Sequence, residues 1–217
     1  MKFTDIPTER TTASTDAILA LLALSCAFYL YSFETQELWK RKIWILIFGF
    51  IALSSTLGAV VHGFALSPSI KYLIWQALFL ILGLTVALFA VGGVYDLQGY
   101  IIARQFLPIM LTVGVGFYIF THLYSGNFFI FIVYATLVLL FALSVYLWLA
   151  INGKLLGAKF ITLGIFISII AAILQSIETI SIKFIWEFDH NGIYHILQIV
   201  GLLCLVAGLR QSLLVPR

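Results

Sequence analysis

Apolar stretches long enough to cross a bilayer alternate with short polar breaks along the whole chain. The pattern predicts seven helices, at about 16–33, 43–66, 72–94, 106–124, 128–151, 159–182 and 191–214. Breaks such as Ser67-Pro68-Ser69, Ser125-Gly126-Asn127 and Asn152-Gly153-Lys154 carry turn-forming residues and are too short for anything but antiparallel neighbours. The expected fold is therefore all-α: one integral-membrane bundle of seven transmembrane helices spanning residues 1–217. No internal repeat is visible, and an odd number of spans argues against a simple inverted-repeat transporter.

Composition agrees with a membrane solvent. A mean hydropathy of +1.12 with only 10% charged residues lies far from a soluble globular domain. The basic residues are scattered apart from Lys40-Arg41-Lys42, so no nucleic-acid partner is expected. Cys26 and Cys204 sit inside apolar runs and read as packing residues. The first apolar run follows Asp5 and Glu9 and opens at Asp16, where a cleaved signal peptide would carry basic residues, so it reads as the first span. Thr12 to Asp16 offer it capping side chains.

Charge sets the expected orientation. Lys40, Arg41, Lys42, Arg104, Lys154, Lys159, Arg210 and Arg217 fall on one side, against Lys2, Arg10, Lys71 and Lys183 on the other. By the positive-inside rule the N-terminus is outside and the C-terminus cytoplasmic. In this frame His62 lies about 28 Å along the second span and reaches the outer boundary. His122 closes the fourth span at the same face, and His190 and His195 open the seventh. Gln76, Gln175, Glu178, Asn191 and Gln198 join the same half, with Asn191, His195 and Gln198 spaced to share one helix face. An ionisable residue in hydrocarbon needs an interior partner, so Glu178 is expected to face the bundle. The sum is a polar pocket in the outer half, with imidazoles of the kind that hold a metal ion or move a proton. Trp39, Trp44, Trp148 and Trp186 read as packing or interface residues, Asp96 as part of a glycine-rich loop, and Gly114 with Gly116 as a close helix contact.

The stretch Glu187-Phe188-Asp189-His190-Asn191-Gly192-Ile193-Tyr194-His195-Ile196-Leu197 resembles the start of the seventh helix in alkaline ceramidases, members of the CREST superfamily. The family pattern there is His-x-x-x-His, then an aliphatic pair and a glycine, matched here by His195, Ile196, Leu197 and Gly201. Asn191 stands in place of the first histidine, and His62 takes the place of the histidine in the second helix. The resemblance implies zinc held by histidines, activating water against a lipid amide with help from a serine and an aspartate. At those positions this chain has Gly58, with Ser54 and Ser55 one turn further back, and Gln76. The acidic start, Asp5, Glu9 and Asp16, resembles the segment that binds calcium in that family.

From the resemblance, the expected activity is metal-dependent hydrolysis of a lipid amide or ester. Zinc would sit on His62 and His195 with a third ligand among Asn191, His122, His190 and Glu178, and Ser54, Ser55, Gln76 and Glu178 would assist. Two other readings stay open. One is a non-catalytic lipid-binding or sensor protein that has lost the zinc site, and the other is a membrane haem protein using two of His62, His122 and His195.

Overall fold

The computed structural model describes residues 2–124, 128–183 and 185–214. The predicted break at 125–127 and the basic Arg217 lie outside the described residues. Seven helices long and apolar enough to cross a membrane run in the order α1 (Pro7–Ser32), α2 (Leu38–Gly63), α3 (Pro68–Gln98), α4 (Tyr100–Leu123), α5 (Phe128–Ile151), α6 (Ala158–Gln175) and α7 (His190–Leu214). At about 1.5 Å per residue even α6, with 18 residues, reaches roughly 27 Å. Between α6 and α7 a short antiparallel hairpin pairs β1 (Ser181–Lys183) with β2 (Glu187–Asp189).

Helix α1 packs against α2 and α7, α3 against α2, α4 and α5, and α5 against α6, which in turn packs on α7. The elements thus form a ring closed where α1 meets α7, with α4 set against α3. The main core fills with aliphatic residues around Trp44, Phe48, Tyr146 and Leu209. Trp44 is completely buried and lies against Gly92, where a side chain would come within 3.1 Å of its ring. It is a core residue and not part of an interface belt.

Several boundaries differ from those the hydropathy pattern predicts. Helix α1 begins at Pro7, a favoured first-turn residue, so Thr12 to Asp16 lie inside the helix and do not cap it. Helix α3 runs on through Gly92 and Gly93 to Gln98, which puts Asp96 in a helix and not in a loop. Helix α6 ends at Gln175, where Ser176, Glu178, Thr179 and Ser181 interrupt the apolar run. Glu178 therefore sits in an exposed turn after the helix, and does not face the bundle interior from within a span. Of the two glycines expected at a close contact, Gly114 meets the Gly83 backbone of α3, while Gly116 has open space around it.

Helices α6 and α7 approach closely. A methyl group at Gly164 would lie 2.7 Å from the Gly201 carbonyl, and one at Gly208 would lie 2.6 Å from the Gly157 carbonyl. Glycine on both sides lets the two backbones touch.

Candidate functional site: a cavity beside two carboxylate–histidine pairs

The polar start of α1 organises one end of the bundle. Thr12, Thr15 and Asp16 stand at helical spacing on one face and are all buried. Thr11 donates to the Glu187 carbonyl at 2.7 Å and Thr12 to the Asp189 carboxylate at 2.8 Å, tying the hairpin onto α1. Asp189 also accepts the Gly192 amide at 2.9 Å, a free donor in the first turn of α7. Ahead of α1, Thr4 and Ala65 exchange backbone bonds with Gly63 and Lys2, and Phe3 stacks on Phe64. The end of α2 is thereby fixed to the start of α1.

Within this frame each of two histidines meets a carboxylate from α1. His62 Nδ1 lies 2.7 Å from Glu9 Oε2. His195 Nε2 lies 3.3 Å from Asp16 Oδ1, and its Nδ1 lies 3.1 Å from the Thr15 hydroxyl. Thr15 spends its only proton on the Thr12 carbonyl at 2.9 Å, so it accepts from the Nδ1–H of His195. The other ring nitrogen faces the Asp16 carboxyl group. Gly58 makes this possible, because a Cβ there would stand 2.5 Å from Asp16 Oδ2. The α1 carboxylate occupies the space that a serine at 58 would need.

Asp16, His62 and His195 line a cavity of about 370 Å³, a size within the usual range of small-ligand pockets. One part of its wall is apolar and largely aromatic, with Trp75, Phe89, Phe128, Phe131 and Leu139 among the contributors. Toward α6 and α7 the wall carries Ser168, Gln175, Asn191 and Gln198, with Glu178 just beyond the end of α6. Gln175 donates to Asn191 at 3.1 Å, and Ser168 donates to Gln198 at 3.1 Å. Among the described residues no lysine or arginine lines the cavity.

Most of the residues singled out from sequence meet here. Ser54, Ser55, His62, Glu178, His190, Asn191 and His195 all border the cavity. Ser54 donates to the Ile51 carbonyl. Gln76 and His122 do not belong to the site. They bond to each other at 2.9 Å on an exposed face of α3 and α4, with Tyr72 at 3.4 Å from the imidazole. His122 thus stands apart from His62 and His195, which both border the cavity.

The donor set does not fit a three-ligand zinc ion. Both ring nitrogens of His195 are engaged, His62 Nδ1 is taken by Glu9, and the Asn191 carbonyl oxygen accepts from Gln175. The His190 Nδ1 atom is buried and unpartnered, but a single imidazole nitrogen does not make a site. Among the described residues no group of three or more His, Cys, Asp and Glu side chains is placed to hold a metal ion. The three acids expected to bind calcium are likewise divided. Asp5 pairs with Lys2 and Arg10 on the surface, Glu9 with His62, and Asp16 with His195. Glu9 and Asp16 are seven residues apart on one helix, about 10 Å of rise, too far for one ion.

A second polar cluster, not anticipated from sequence, lies at the opposite end. Lys40 Nζ stands 2.5 Å from Asp96 Oδ1, Tyr146 donates to Asp96 Oδ2 at 2.8 Å, and all three side chains are almost fully buried. Beside them Tyr95 donates to Glu37, and Trp39 stacks on Tyr95. Asp96 is thus a core anchor joining α2, α3 and α5.

Taken together, fold and site define a class: a bundle of seven helices long and apolar enough to span a bilayer, with a cavity that is apolar on one side and polar at one end. Residues 11–214 match the model of a family described as a family of unknown function, DUF6962, and the chain belongs to that family. No curated protein and no solved structure matches the chain.

Proposed function

We propose that this is a multi-pass membrane protein whose cavity binds a single-chain lipid, the polar head lying near Asp16 and His195 and the tail against the aromatic wall, in a binding or sensing role. The observation that carries this reading is the cavity itself, apolar over much of its wall and polar at one end, while His195 spends both ring nitrogens and His62 its Nδ1 on protein partners. The reading keeps a lipid-facing pocket from the likeness to alkaline ceramidases and omits the metal chemistry. Native mass spectrometry of the protein released from gentle detergent is expected to show one bound single-chain lipid per chain. Ala135→Phe, which fills the apolar wall, is expected to remove that mass while leaving the protein folded. Equal lipid retention by the wild type and the filled variant would mean surface lipid only and defeat the proposal.

The same reading places the N-terminus outside and the C-terminus in the cytoplasm. Lys40 is buried in an ion pair and adds little to the surface charge, which leaves Arg41, Lys42, Arg104, Lys154, Lys159 and Arg210 at the cytoplasmic end. Against them stand Lys2, Arg10, Lys71 and Lys183, two of which are partnered by Asp5. Single cysteines at Ser69 and Asn152, both exposed and at opposite ends, test this in a background lacking Cys26 and Cys204. In intact cells a membrane-impermeant maleimide is expected to label position 69 and spare position 152. The reverse pattern would invert the topology.

A further inference from the structure

The β1–β2 hairpin leaves its apolar side chains outside the protein. Ile182, Ile185 and Trp186 are 55%, 71% and 65% exposed, on or between two strands of three residues each. Facing water, a hairpin so small and so bare would be marginal. Its level in the bundle gives it other surroundings. Helix α1 ends at Ser32, just before Glu34 and the Phe33 carbonyl that Arg41 caps, so Ser32 marks one edge of the hydrocarbon. Thr12 stands about 30 Å above it along the helix, the thickness of a bilayer core. Thr11 and Thr12 are the residues that hold β2, through the Glu187 carbonyl and the Asp189 carboxylate. The hairpin therefore lies at the opposite edge of the hydrocarbon. Helix α6 gives the same level, since it starts at Ala158 beside Lys159 and covers about 27 Å before it ends at Gln175. Its exposed stripe of Leu163, Phe166, Ile170 and Ile173, at helical spacing, continues past the helix in the exposed Ile177 and then Ile182.

We infer that the hairpin is a membrane-surface anchor, its partner being the lipid interface of the leaflet at the end where α1 begins. Ile182, Ile185 and Trp186 lie among the upper acyl chains, where an indole ring finds apolar neighbours on one side and wet ones on the other. Lys183, exposed and opposite Glu187 in the register, reaches from there to the headgroup phosphates. A soluble protein partner would have to displace lipid that already stands at this depth, so lipid is the occupant the geometry favours. Glu178 and His190 flank the hairpin in the chain and border the cavity. The anchor thereby holds the rim of the cavity at headgroup level.

This inference rests on the multi-pass membrane reading and is independent of what the cavity binds. The full chain is placed in phosphatidylcholine nanodiscs whose acyl chains carry bromine near the carbonyl end, and its tryptophan emission is compared with that in unbrominated discs. Wild type, Trp186→Phe and Trp148→Phe are measured, and subtracting each variant from wild type isolates one ring. Both rings are exposed, so neither change disturbs the core. Trp148, near the end of α5, reports a lipid-facing span. The emission due to Trp186 is expected to be quenched by bromine about as strongly as that due to Trp148, and only weakly by acrylamide in the water. Ile185→Asp is expected to move the Trp186 emission to longer wavelength and to lower its bromine quenching, because a charge at that edge lifts the turn toward water. Bromine quenching of Trp148 but not of Trp186 overturns the anchor and leaves the spans standing; acrylamide then tells whether water or a second protein covers the hairpin. No bromine quenching of either ring overturns both.

Discussion

Lys40→Met is expected to lower the stability of the folded protein by about 3–5 kcal/mol, the usual cost of removing one partner from a buried ion pair. Asp96 has no exposure at all, so the carboxylate left behind reaches no water. Tyr146 gives it one hydrogen bond, which offsets only part of the loss. Methionine keeps most of the lysine stem volume, so the effect reads charge and not a void. The double variant Lys40→Met with Asp96→Leu is expected to recover most of the loss, because a well-packed apolar pair often replaces a buried salt bridge at little net cost. Unfolding midpoints of the purified proteins in one mild detergent provide the comparison. A single variant within about 1 kcal/mol of wild type would show that water reaches Asp96.

The second large effect is expected at Gly157. This residue has φ of +79°, in the left-handed region that side chains disfavour, and a Cβ there would lie 2.1 Å from the Gly208 carbonyl. Gly157→Ala therefore combines backbone strain with a collision against main chain that moves only if α6 and α7 separate. A loss of about 3 kcal/mol or more is expected. Gly153 is the internal control, since it also has positive φ, +60°, but nothing within 4 Å. Gly153→Ala is expected to cost only about 1–2 kcal/mol. Equal losses at the two sites, by the same midpoint measurement, would mean that the α6–α7 contact contributes nothing.

The number and order of the helices were legible because hydrocarbon demands long apolar runs, and those runs stand out whatever the tertiary contacts. The ends were less legible. The first nine residues of α1, Pro7 to Thr15, look like a polar tail, yet they are helical, with side chains bonded to β2, α2 and α7. Periodicity marks that Thr12, Thr15 and Asp16 share a face, but not that the face is buried. His62, Asn191 and His195 were brought to one cavity as their positions near helix ends implied, whereas His122 went elsewhere because α4 packs outside α3. The role of Asp96 was hidden by its glycine neighbours. Its one signal was a lone acid four residues after Gly92 in a chain with few charges, opposite a lysine in the preceding span. The β1–β2 hairpin had no comparable mark, since strands of three residues carry too little alternation to read.

The crowding of Asp16 against Gly58 also bears on how such a chain could change through descent. With the carboxylate lying 2.5 Å from where a Cβ at 58 would stand, the two positions are not free to vary separately. A lineage carrying this aspartate is barred from acquiring serine at 58 until residue 16 has first shortened or turned aside, whereas one that has lost the aspartate tolerates either residue. The history of the pocket thus couples the two places, a hydroxyl-bearing residue at 58 being accompanied by a turn of the helix-1 carboxylate or its loss.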